Sequence, residues 1–140
     1  MTEREQRRPG ATPMTRLRRL VLQTLTQAGE PVKAYDLLEI LRSQGERLTP
    51  STIYRILDFL ESQSLIHRVN SLAAYLACAN GQTNAHQPLL VVCAGCQKTT
   101  EVHDPELRNS IARRLETLGL SLTATSVEIR GLCPQCAPPV

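Results

Sequence analysis

Apolar residues recur at helical spacing three times in the first half of the chain, and each stretch has its own start and stop signals. Leu17, Leu20, Val21, Leu25 and Ala28 line one face of a stretch that opens at Thr15 and closes at Gly29, as an amphipathic helix with a hydroxyl cap and a glycine stop would. A second helix is expected from about Ala34 to Ser43, with Leu37, Leu38 and Leu41 inward and Gly45 past its end. The third has the clearest start. Thr49 is placed to cap it, Pro50 takes the first helical position, and Ile53, Ile56, Leu57 and Leu60 share a face. The period then shortens. Leu65–Val69 and Ala73–Ala77, on either side of Asn70-Ser71, predict a β-hairpin. Three helices followed by a hairpin is the order of a winged helix-turn-helix.

Residues 79–87 are polar and aperiodic and are expected to form a hinge between domains. Beyond them the pattern predicts strands at Leu89–Val92 and Lys98–His103. A helix follows from Asp104 to Leu118, stopped by Gly119, and then a strand from Leu122 to Arg130. Residues 1–13 are Arg-rich and broken by Pro9, Gly10 and Pro13, which predicts a flexible basic arm. The expected fold is therefore α+β. A winged helix-turn-helix over residues 14–78 precedes a small α/β domain over residues 88–140.

Composition adds one constraint. Two small domains in 140 residues, with Phe59 the only phenylalanine and no tryptophan, are each short of core, and a metal staple would supply what thin aliphatic cores lack. The apolar runs are far below membrane-spanning length, and Met1-Thr2-Glu3-Arg4 does not open a signal peptide. A cytoplasmic protein with no membrane partner is expected, with thiols kept for metal rather than disulfides. Charge adds a second. Residues 1–80 carry eleven Lys/Arg against eight Asp/Glu, whereas residues 81–140 carry five of each. The net charge of +3 thus belongs to the first half, for which nucleic acid is the natural partner.

The cysteines carry the chemistry. Cys93/Cys96 and Cys133/Cys136 are two Cys-x-x-Cys knuckles separated by the 36 residues 97–132, which together offer four thiolates, a preferred set for a closed, structural zinc site. Cys78 is left over. So are His67, His86 and His103, and all four lie between residues 67 and 103 together with Glu101. Singly, a strand histidine is ordinarily a bystander, a lone cysteine a small hydrophobe and a strand glutamate a solvated edge. Together, His67, Cys78, His86 and Glu101 complete a zinc tetrahedron. His103, on the same strand face as Glu101, could replace a ligand, and so could Asp104, although Asp104 also stands where it would cap the following helix. Two ligands come from the hairpin side and two from the hinge or beyond it, so one ion would tie the domains together.

On the third helix, Ser51, Thr52, Tyr54 and Arg55 occupy the first turns, where recognition helices touch base edges. Arg55 suits a guanine edge, and Tyr54 suits a thymine methyl or a phosphate. Arg16, Arg18, Arg19 and Lys33 are candidates for phosphate contacts. Glu39 and Arg42, one turn apart on the second helix, read as a surface pair.

The run Leu48-Thr49-Pro50-Ser51-Thr52-Ile53-Tyr54-Arg55-Ile56-Leu57-Asp58-Phe59-Leu60 resembles the recognition helix of the ferric uptake regulator family, and the two knuckles resemble that family's structural zinc site. The resemblance covers roughly residues 12–136. It implies a metal-dependent, dimeric repressor with an N-terminal winged helix and a C-terminal dimerisation domain. His67 in Leu-Ile-His-Arg-Val, Cys78 in Tyr-Leu-Ala-Cys, His86 and Glu101 match the sensory zinc ligands of the zinc uptake branch, as does the stretch Ala34-Tyr35-Asp36-Leu37-Leu38. That branch implies two Zn2+ per monomer, a homodimer on a pseudo-palindromic operator, and repression of zinc-uptake genes. Iron- and peroxide-sensing members carry a His-rich hinge. Here that segment is Asn84-Ala85-His86-Gln87, with a single imidazole.

Three rivals bound this reading. An iron or peroxide sensor would rebuild its site with His103 or Asp104, although the Cys78 thiolate favours zinc. A thiol-redox switch would cycle its knuckles through disulfides. An enzyme of the zinc deaminase kind needs His-x-Glu upstream of Pro-Cys-x-x-Cys, and no histidine here has a glutamate two residues later. No catalysis and no small-molecule substrate are expected.

Overall fold

In the computed structural model the described residues are 14–78, 89–121 and 127–138. The expected arm (1–13), the expected hinge (79–87) and the start of the last predicted strand (122–126) lie outside them. The element order is α1 (Arg16–Ala28), β1 (Val32–Lys33), α2 (Ala34–Ser43), α3 (Pro50–Ser62), β2 (Ile66–Val69), a 3-10 turn (Asn70–Leu72), β3 (Ala74–Ala77), β4 (Leu89–Cys93), β5 (Thr99–Val102), α4 (Pro105–Thr117) and β6 (Val127–Gly131).

The helix signals act as expected. Thr15 and Thr49 accept from the Arg18 and Thr52 amides at 3.3 Å each, filling orphan donors of the first turn. Asp104 caps α4 through the Leu107 amide at 3.1 Å. Gly29 adopts a left-handed φ of 63° and returns its N–H to Leu25, a conformation glycine reaches without the strain a Cβ would bring.

Among the described residues, two three-stranded sheets are ordered β1-β3-β2 and β5-β4-β6. β1 was not legible in the sequence. Its two residues pair with Tyr75 and Ala74, too short a strand to show alternation. In the hairpin, alternate residues face opposite ways. Ile66 and Tyr75 close the first core, with Val21 and Leu25 from α1, Leu37, Leu38 and Leu41 from α2, and Ile53, Ile56, Leu57 and Leu60 from α3. The other face puts Val69 and Leu76 against Leu90 and Val92 of β4, a second apolar cluster shared by the two sheets. The back of the wing is thus the surface on which the two sheets meet. Arg42 does not pair with Glu39. Its Nε and Nη2 donate to the Leu48 carbonyl at 3.1 and 2.8 Å, holding the loop that delivers α3.

In the second sheet, β4 runs antiparallel to β5 and parallel to β6. α4 forms the crossover and buries no residue within the chain. No helix among the described residues is long and apolar enough to cross a membrane.

Candidate metal centres and nucleic-acid interface

The parallel pairing of β4 and β6 brings the knuckles together. Cys93 stands opposite Gly131, so both strands release their cysteine turns at the same end of the sheet. The Ala94 amide donates to Gly131 at 2.8 Å, and the Cys136 amide to Cys133 at 3.0 Å. The four sulfurs lie within 4.8 Å of one another. Cys96 Sγ and Cys133 Sγ are 3.7 Å apart, close to the edge of about 3.8 Å in a tetrahedron with metal–sulfur bonds of about 2.3 Å.

Charge makes the same case. The Cys133 amide donates to Cys93 Sγ at 3.3 Å, and with the Cys96 amide it holds the Cys93 thiol down to about 6. Cys136, crowded by Cys133 and then Cys93, is pushed up to about 12. Four thiolates at this spacing repel one another unless a cation sits among them, so an ion taking all four must displace the Cys136 proton.

Gly95 makes the close approach possible. A Cβ there would lie 2.8 Å from Cys136 Sγ and 2.9 Å from Cys136 Cβ, inside any permitted contact. Gly95→Ala is expected to push the second knuckle away and make the bound ion labile, raising the rate of zinc loss to chelator roughly tenfold or more, in the range of a disturbed supporting shell. Release kinetics with a chromophoric chelator measure this. A glycine inside a Cys-x-x-Cys knuckle is the sequence signal for such a contact.

The second cluster lies between the sheets. His67 on β2, Cys78 just after β3 and Glu101 on β5 bring their ligand atoms within 4.8 Å of one another. His67 Nε2 is 3.3 Å from Glu101 Oε1, and Cys78 Sγ is 3.8 Å from the same oxygen. The side chains of His67 and Glu101 are only 5% and 4% exposed, a placement that strongly disfavours a lone carboxylate. Imidazole, thiol and carboxylate converging out of water fit a borderline-soft divalent ion. His86, the fourth expected ligand, lies outside the described residues. Neither His103 nor Asp104 joins this cluster. His103 is exposed, and the Asp104 carboxylate is the α4 cap.

The expected DNA-reading residues divide into two groups. Tyr54 and Arg55 are exposed on α3, next to exposed Ser51 and half-buried Thr52, whose hydroxyls lie 3.1 and 3.0 Å from the Thr49 hydroxyl. Arg19 and Lys33 are exposed. Arg16 and Arg18 have intramolecular work. Arg16 gives both terminal nitrogens to Glu46 at 2.8 and 2.9 Å, and the Arg18 guanidinium stacks 3.6 Å over the Phe59 ring, fastening α1 to α3. Arg68, not singled out by the sequence pattern, bonds the Tyr75 hydroxyl at 2.7 Å and stands 3.8 Å from both Asp58 and Glu61, joining the wing to α3.

A winged helix-turn-helix whose described residues include two clusters able to hold a metal ion, one at the end of the second sheet and one between the two sheets, defines the class of metal-responsive DNA-binding folds. The ferric uptake regulator family profile matches residues 11–130, and the chain belongs to that family. It is 31% identical over 116 residues to the zinc uptake regulation protein of Escherichia coli strain K12, covering 83% of this chain and 68% of that one. Among solved structures, holo XcZur superposes with a TM-score of 0.80 at 32% identity, over 91% of this chain and 88% of that one. A zinc uptake regulator complexed with zinc and DNA superposes with a TM-score of 0.81 at 28% identity, over 89% and 83%.

Proposed function

We propose that this protein is a zinc-responsive transcriptional repressor of zinc-uptake genes, acting as a metal-loaded homodimer without catalysis. The carrying observation is the His67/Cys78/Glu101 cluster, which draws its ligands from the wing and from the second sheet. His86 completes the set by its place in the motif. Likeness to a zinc uptake regulator bound to zinc and DNA supports the choice of metal and partner. So does the donor set, because a thiolate favours zinc over ferrous iron. The proposed count is two Zn2+ per monomer, one held by Cys93, Cys96, Cys133 and Cys136 and one by the sensory set.

Bound zinc supplies the positive charge that lets a thiolate and a carboxylate share a closed site. The rest belongs to the chain. His67 and Cys78 stand on the wing and Glu101 on the second sheet, so a filled site favours one orientation of the reading head and removes those that cannot bind DNA. The linkage is reciprocal, and operator DNA should tighten zinc binding equally. Ser51, Thr52, Tyr54 and Arg55 would read base edges, with Arg19 and Lys33 on phosphates. Arg16 and Arg18 would reach phosphate only by leaving Glu46 and Phe59. The homodimer has a surface to form on, since Leu107, Leu118, Leu120, Ile129 and Leu132 are exposed beside a helix that buries nothing within its own chain. A pseudo-palindromic operator follows from two-fold symmetry.

The test is binding to a palindromic operator across buffered free zinc, with ferrous iron as comparison. Binding that rises with zinc and not with iron is expected. Equal or better response to iron, or to thiol oxidation, would overturn the reading. Arg55→Ala is expected to cost about 1–3 kcal/mol on the preferred site and to relax base preference there with the dimer intact.

A further inference from the structure

The wing turn makes a contact that neither metal cluster nor the DNA-reading helix uses. Glu128, on β6, sends its carboxylate across to the first sheet, where the Asn70 amide donates to Oε1 and the Ser71 amide donates to Oε2 at 3.1 Å. These are the first two amides of the 3-10 turn Asn70–Leu72, which has no side-chain cap of its own at Val69. Such donors have no acceptor inside the turn, and an ionised carboxylate taking two of them makes charge-assisted bonds. The cap comes from 58 residues away in sequence and from the other domain.

The registers show why this contact is placed to matter. Leu90 pairs with Glu101 on one side and with Glu128 on the other, so both carboxylates rise from one face of the second sheet. They stand two strand spacings apart, about 9.6 Å. Three residues of extended chain separate His67 from Asn70, about 10 Å. The hairpin therefore lies across the sheet, its open end over Glu101 and its turn over Glu128. Between them Val69 and Leu76 rest on Leu90 and Val92.

We propose that Glu128 is a positioning residue for the reading head, a latch that fixes the wing turn independently of metal. One filled site at the His67 end fixes the hairpin at a single polar point, and the apolar contact of Val69 and Leu76 with Leu90 and Val92 is non-directional and resists sliding only weakly. A second attachment at the turn removes that sliding, and the two together define the orientation of α3. The turn amides are committed to Glu128, so the wing tip acts as a coupling lever in place of a phosphate contact. The proposal rests on the zinc-dependent DNA binding put forward above.

The experiment is Glu128→Ala in the full chain, with Glu128→Gln as a near-isosteric variant that keeps one acceptor. Amide hydrogen exchange at Asn70 and Ser71, zinc stoichiometry and operator affinity at saturating zinc are the readouts. Glu128→Ala should speed exchange at both amides at least tenfold and weaken operator binding roughly tenfold, with zinc per monomer at saturation unchanged. Glu128→Gln should fall between, and it decides the matter if the alanine variant fails to fold. Unaltered protection at both amides would overturn the latch. So would unchanged operator affinity of the fully loaded protein with only a lower thermal midpoint, the signature of a merely structural contact. If the wild type itself shows no zinc-dependent DNA binding, the proposed function fails, and the exchange result alone decides the latch.

Discussion

Cys78→Ser should keep one chelator-resistant zinc per monomer and the dimer, and lose the exchangeable zinc together with zinc-dependent DNA binding. Serine fills nearly the same volume but offers a hydroxyl that stays protonated at neutral pH. The donor set beside His67 would then hold one negative charge, on Glu101, where the native set holds two. Disturbing only the outer shell of a metal site costs about 10–100-fold in affinity, and losing a thiolate ligand should exceed the upper end of that range. The rest of the fold should be indifferent. Cys78 is only half-buried, and its amide donates to the Leu65 carbonyl at 3.0 Å whatever the side chain. Zinc binding in buffered titrations and operator binding by fluorescence anisotropy would measure both effects. Full wild-type response from this variant would remove the sensory role of the cluster.

The second large effect is expected at the knuckles. Replacing Cys133 and Cys136 by serine, or stripping zinc with a strong chelator under reducing conditions, should abolish the dimer and unfold the second sheet while α1–α3 survive. The two halves are not equally self-sufficient. Among the described residues, thirteen buried ones form the first core. The second sheet there buries Leu89, Leu90, Val92 and Cys93 on β4 alone, and α4 buries none of its own residues. A structural zinc site contributes about 10–16 kcal/mol to folding in small zinc-dependent domains, more than the three apolar side chains Leu89, Leu90 and Val92 at about 1.5–3 kcal/mol each can replace once chain entropy is opposed. Light scattering and far-UV circular dichroism would follow the two losses. A metal-free, reduced dimer with native strand content would show that the staple is dispensable.

Much of this could be read from the chain because it depends on neighbours in sequence. Helix caps at Thr15, Thr49 and Asp104, and the Gly29 stop, are local hydrogen-bonding and backbone preferences, and the helices begin and end where those residues place them. The knuckle spacing gives four thiolates whatever surrounds them. The hairpin showed itself as a change of period. The two-residue β1 did not, because a strand that short has no pattern and exists only when β3 is there to pair with it.

The sequence by itself determined the helices, the hairpin and which donor types each stretch carries, because caps, periods and donor types are properties of short stretches. Only the tertiary structure decided which side chains meet. Parallel pairing of β4 with β6 brings cysteines 40 residues apart within hydrogen-bonding distance, and this is why Gly95 must be glycine. Stacking of the wing on β4 buries His67 with Glu101 while leaving His103 and Asp104 outside. Packing of α1 beside the loop after α2 and against α3 assigns Arg16 to Glu46 and Arg18 to Phe59, although by composition all four basic residues looked alike. The Glu128 contact with Asn70 and Ser71 has no local signal, because it depends on strand register in one sheet and turn geometry in the other.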